Sequence, residues 1–240
     1  MAERHRRDSG TQPRSTGHPF EVIGGFLSRG GYPMRNWLDV VRRSTPQPAP
    51  EIMIIMMNPG SSGPREAAEG DAQPQRLARP DRTQLQITRL MDAIGLSHAR
   101  IINLSDFRTS RSQDLVRFLA SGEAATIDHS IFSPTRREEL ESLLVRDIPI
   151  VYAWGVHTSI LPLAKRAIEV VGISSALGVP KAGTPHAFYH PLPPVHSKQI
   201  AWVREVAAQF HARNTRGNSA PPLGRSTRRG LPVTGAGKPG

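Results

Sequence analysis

Cysteine is absent from this chain. That excludes disulfides, thiolate zinc sites and cysteine-ligated iron–sulfur clusters. No apolar run approaches the roughly 20 residues of a membrane-spanning helix. The charged opening Met1 to Asp8 has no hydrophobic stretch behind it, so no secretory signal is expected. A Walker-type phosphate loop, a Gly-x-Gly-x-x-Gly turn and a serine nucleophile elbow are also missing. No internal repeat is present. These absences lead to the expectation of a soluble, cytoplasmic, monomeric protein that needs no cofactor.

Positive charge is what the chain has in excess, with a formal net charge of +11 over 240 residues. Most of it lies near the ends. Residues 212–240 carry Arg213, Arg216, Arg225, Arg228, Arg229 and Lys238 and no acid, and residues 1–19 add two net positive charges. Basic tails bind phosphate backbones without sequence preference, so DNA or another nucleic acid is the expected partner. Solvated tails without a dedicated role are the plain alternative. Both ends are rich in Gly, Pro, Ser, Thr and Arg and are expected to be disordered, at 1–19 and 212–240. One domain is expected between them, at 20–211, which is ample for a hydrophobic core.

Within that domain, residues 20–45 read as an irregular lead-in with a short strand or helix. Thr45 to Pro50 form a break. Strands and helices then alternate. Ile52–Met57 is a buried strand. Asp81, with Gln84 three residues on, caps a helix over 82–95 that ends at Gly95. Arg100–Leu104 is the second strand. Leu115 and Phe118 mark a further helix, and Ser133-Pro134 opens another. Ile148–Trp154 is the third strand, before a helix over 160–171. A short strand near Ala187–Tyr189 and a last helix over 196–211 complete the pattern. Such alternation predicts a three-layer α/β/α fold with a mostly parallel sheet. Right-handed crossovers gather the strands' carboxyl ends on one rim, where ligands bind in this class.

The rim residues are Met57-Asn58-Pro59-Gly60, Asn103, Trp154-Gly155 and His190-Pro191. An amide at Asn58 can hold a water, and an imidazole N–H at His190 can serve a developing oxyanion. Asn103 can pair with a donor–acceptor edge, and Arg108 can hold a phosphate. Plainer roles exist for each. Asn-Pro-Gly is a common turn. Asn103 can cap the following turn. Trp154 suits the core as well as a cavity wall. Arg108 can pair with Asp106. His186, His190 and His196 lie in a proline-broken segment without a helical i, i+4 face, so no metal is expected there.

In this order the landmarks resemble the uracil-DNA glycosylase superfamily. Met57–Gly60 resembles its first motif, Arg100–Asn103 its apolar strand ending in Asn, Val151–Gly155 its Trp-Gly strand and Tyr189–Pro193 its His-Pro motif. Met56 stands where that first motif usually has a small residue, and His190-Pro191-Leu192-Pro193 lacks the motif's serine. Residues 51–195 also resemble the bacterial domain-of-unknown-function family numbered 1643. Asn58-Pro59, Asp81-Arg82-Thr83, Asn103-Leu104, Arg108, Trp154-Gly155, Gly183-Thr184-Pro185 and His190-Pro191-Leu192 carry that likeness. The superfamily resemblance implies a metal-independent hydrolase that cleaves the N-glycosidic bond of a damaged or modified base. Asn58 and His190 would be catalytic, and Met57, Pro59, Gly60, Asn103, Arg108, Trp154, Gly155 and Pro191 would hold substrate. A non-catalytic nucleic-acid-binding module and a nucleotide or small-metabolite enzyme are the alternatives.

Overall fold

A computed structural model of the chain describes residues 19–43, 49–65, 75–172 and 176–218. The expected tail segments 1–18 and 219–240 lie outside the described residues. The protein is α/β, built on a seven-stranded mixed sheet in the order β4-β1-β2-β5-β3-β6-β7. The strands are β1 (Phe20–Arg29), β2 (Tyr32–Arg42), β3 (Ile52–Met56), β4 (Arg76–Leu77), β5 (His98–Asn103), β6 (Ile150–Tyr152) and β7 (Ala176–Leu177). The helices are α1 (Arg82–Ile94), α2 (Ser112–Ala120), α3 (Gly122–Thr126), α4 (Arg137–Leu143), α5 (Leu161–Val171) and α6 (His196–Asn218). No described helix is long and apolar enough to cross a membrane.

The expectation of a mostly parallel sheet holds for only one half. β5, β3, β6 and β7 are parallel neighbours. The other half, β4-β1-β2 joined to β5, is antiparallel. The cause is the segment expected to be irregular. Gly30 and Gly31 both take positive φ, 56° and 79°, and close a two-residue turn between Arg29 and Tyr32. Only such a turn matches the right-handed twist of the two flanking strands, so 20–42 folds as one long hairpin.

Strand alternation divides the core. Ile52, Ile54 and Met56 of β3 face Ile87, Leu90 and Met91 of α1 and Trp202, Val206 and Phe210 of α6. Met53 and Ile55 face the opposite cluster, with Leu115 and Phe118 of α2, Leu140 and Leu143 of α4 and Ala164, Ala167 and Ile168 of α5. Each fully buried aliphatic side chain of this size contributes about 2 kcal/mol by transfer from water.

Local signals held where they were strong. Asp81 accepts from the backbone N–H groups of Thr83 and Gln84, Gln84 answers through its side chain, and Gly95 closes α1 in the left-handed conformation. Two expectations differ. Residues 187–189 form no strand; Phe188 makes single bridges to Gly155 and Pro180, because His186 turns the chain at φ 65°. α6 continues to Asn218, so residues 212–218 are helix rather than tail. No Gly or Pro interrupts 196–216, and Gly217 is the first stop signal.

The seam between the two halves of the sheet is β2–β5. There Asp39 lies directly opposite Arg100, and both guanidinium–carboxylate contacts are 2.8 Å. Burial raises the Asp39 pKa, but Arg100, with His98 beside it, outweighs burial and holds the carboxyl below its usual range. Replacing Arg100 with Val should cost about 3 kcal/mol in urea unfolding, because it strands a buried carboxylate. The double variant Asp39→Val/Arg100→Val should lose clearly less.

Candidate functional site

The chain leaves β3 through α1 on one face to reach β5. It then crosses the other face through α2–α4 to reach β6 on the far side of β3. Successive connections on opposite faces of the sheet create a crevice at the carboxyl end of β3. A cavity of about 720 Å³ occupies it. Its wall includes Met57-Asn58-Pro59-Gly60 after β3, Thr109 and Ser110 after β5, Gly155 and Val156 after β6, and Tyr189, His190 and Lys198 from the last connection.

Asn58 ties two of these loops together. Its Nδ2 donates to the Thr109 carbonyl at 2.8 Å and to the Phe107 carbonyl at 3.4 Å. Both bonds use Nδ2, so Oδ1 remains to accept from a water or ligand. Backbone bonds from Leu104 to Met56 and from Ser105 to Met57 hold the same two loops in register.

His190 is prepared as a neutral donor. The Leu192 N–H donates to its Nδ1 at 3.1 Å, so a neutral ring carries its proton on Nε2. Burial pushes the pKa down to about 4, against a smaller upward contribution from the charge of Asp81. The loop bearing His190 is pinned by Trp202 Nε1 to the Tyr189 carbonyl and by Gln199 Nε2 to the Pro193 carbonyl.

Several wall residues were not singled out as ligand-binding in the sequence, and two of them bear on the cavity's electrostatics. Asp81, seen there only as a helix cap, also lines the cavity. Its Oδ1 is spent on the N–H groups of Thr83 and Gln84, at 2.8 and 3.2 Å. Gly60, with φ at 67°, lets the chain pass close to Oδ2; a Cβ there would sit 3.0 Å from that oxygen. Arg35 is the second. It is 1% exposed, and its Nε and Nη1 have no hydrogen-bond partner. Burial lowers its pKa to about 10. Its direction comes from a β-bulge. Gly25 pairs with Trp37 and Phe26 with Arg35, so Asn36 is the extra residue. Asn36 then bonds Glu139 on the α4 side, and Arg35 is turned to the cavity.

Other expected residues stay out of the wall. Trp154 follows Tyr152 into the core beside α5, fully buried, with Nε1 donating to the His186 carbonyl at 2.8 Å. Pro191 is buried behind His190. Asn103 is fully buried next to Met56, and neither atom of its amide has a partner. Arg108 lies half-buried over the Phe26 ring, 5.9 Å from its centroid, with Nη1 against Gly63. Its Nε is unpartnered, and it makes no pair with Asp106, which binds Arg136 at 2.5 Å instead. Among the described residues no three His, Asp or Glu side chains converge as metal ligands would.

No protein-family model, curated protein or solved structure matches the chain.

The His190 environment has a pH consequence. The folded protein refuses a proton that the unfolded chain accepts at its ordinary pKa of 6.5. The resulting stability is present above pH 6.5 and is lost as pH falls toward 4, up to about 3 kcal/mol. NMR titration of the His190 ring should show a midpoint near 4. A midpoint near 6.5 would contradict the assignment of a half-buried, neutral ring.

Proposed function

We propose that the chain is a DNA glycosylase-like hydrolase of the three-layer uracil-DNA glycosylase form, acting on a damaged or modified base. The likeness to the family numbered 1643 is part of the same proposal. The observation that carries the reading is a pair of polar groups on one cavity wall: an amide with a spare acceptor, Asn58 Oδ1, and a neutral imidazole whose donor is Nε2–H, His190.

The chemistry follows from those groups. The target nucleotide leaves the base stack and enters the cavity. Asn58 Oδ1 accepts a hydrogen bond from a water and sets it beside the sugar's C1′. As the C1′–N bond breaks, its electron pair departs with the base, and the water oxygen bonds to C1′. The water's proton passes to Asp81 Oδ2, the only carboxylate among the described lining residues. His190 donates Nε2–H to the oxygen of the leaving base, where negative charge develops. A ring that stays neutral above pH 4 performs this role without itself being an imidazolium. The basic ends of the chain would hold the DNA backbone.

The test uses oligonucleotides carrying uracil, hypoxanthine, xanthine or hydroxymethyluracil, with abasic sites revealed by alkali. Asn58→Ala and His190→Ala should each reduce base release by about 100-fold or more while melting stays cooperative. Wild-type rates in both variants would overturn the reading. Salt-sensitive DNA binding without any base release would favour a non-catalytic binding module.

A further inference from the structure

Arg35 is a buried cation whose Nε and Nη1 lack hydrogen-bond partners. A guanidinium buried to 1% exposure with two nitrogens lacking partners carries a desolvation penalty that nothing nearby offsets by contact. Neither carboxylate it feels hydrogen-bonds its Nε or Nη1. Asp106 binds Arg136 at 2.5 Å, and Asp81 uses Oδ1 to cap α1. A second cation, Arg108, acts on Arg35 unfavourably and has an unpartnered Nε of its own. The β-bulge at Asn36 turns this charge to the cavity, where Lys198 supplies another cation and Thr83, Ser110 and Ser112 supply hydroxyls. An unpartnered guanidinium on a wall of hydroxyl donors, backed by Arg108 from outside that wall and faced there by one carboxylate, Asp81, forms a receptor for an anion.

We propose that Arg35 receives a phosphate carried by the ligand of this cavity, with Arg108 reinforcing the charge from behind and Lys198 from the rim. The cavity's 720 Å³ accommodates a sugar phosphate together with a base. The inference rests on the cavity being the substrate site, and it names the second group that the substrate presents there. That phosphate belongs either to a free nucleotide or to the strand flanking an extruded base; the recognition chemistry is the same.

The full chain is titrated calorimetrically with inorganic phosphate, with 2-deoxyribose 5-phosphate and with a short oligonucleotide containing one abasic site. The wild type should bind inorganic phosphate. Arg35→Met should weaken that binding by about tenfold or more. Its thermal midpoint should be equal or higher, because the variant removes an unpaired buried charge. Arg35→Lys should fold and bind with intermediate strength. Stronger Arg35-dependent binding of 2-deoxyribose 5-phosphate supports the proposal with a free nucleotide as source, and stronger Arg35-dependent binding of the oligonucleotide supports it with a strand as source. No phosphate binding by the wild type, unchanged binding in Arg35→Met, or a lower midpoint in Arg35→Met with binding retained would overturn it. These readouts need no base release. Arg35-dependent phosphate binding by a wild type that releases no base would remove the glycosylase reading and leave the anion site standing.

Discussion

β3 is the constraint from which the site follows. It has parallel neighbours on both edges, β5 and β6, and its five residues are at most 4% exposed. Such a strand can carry no polar side chain along its length without a large penalty. Polar chemistry can begin only where the strand ends, and Met57-Asn58-Pro59-Gly60 is that end. The connections leaving on opposite faces open the crevice at the same point. Buried β3 and the polar cavity are therefore two consequences of one arrangement.

The loops around the crevice are held by bonds that also define its chemistry. Asn58 spends Nδ2 on the 107–109 loop and keeps Oδ1; Asp81 spends Oδ1 on α1 and keeps Oδ2; His190 spends Nδ1 on Leu192 and keeps Nε2–H. In each case one polar atom fixes a cavity-lining side chain and the other makes no hydrogen bond within the protein. A group anchored in this way reorganises little during reaction, which is the condition for electrostatic stabilisation of a transition state. Arg35 departs from the pattern. It is positioned by the backbone, through the bulge and its N–H bond to the Asp106 carbonyl at 2.9 Å, and its head is left without a partner. An unpaired buried charge lowers stability there.

Much of this was legible in the chain, and what was not has physical reasons. β3, the capped start of α1 and its Gly95 stop rest on local signals, and they appeared where expected. Asn58 and Gly155 could be placed together because crossover handedness puts parallel strand ends on one rim; His190 joins them although no strand precedes it, on a loop pinned by Trp202 and Gln199. Trp154 and Asn103 were placed there by the same rule but lie inside: Asn103 is the last residue of β5 and still alternates between faces, and Trp154, two residues beyond Tyr152, keeps to its face. The hairpin was hidden by glycines that weaken the strand pattern in Phe20–Arg29, although Gly30-Gly31 marked its turn. Arg35 could not be found from sequence, since one inserted residue, Asn36, decides which way it points. Asp81 and Gln84 signal a helix cap, and no local pattern marks that Asp81 also lines the cavity.

The central claim is that one cavity holds both the base and the phosphate of a nucleotide, between His190 and Arg35. A crystal structure of the full chain soaked with a nucleoside 5′-monophosphate tests it most directly. The account predicts density inside the cavity, with the phosphate at the Arg35 guanidinium and the base on the His190 side. Nucleotide bound only on the outer surface, with Arg35 still unpartnered and the cavity holding nothing but water, would contradict it.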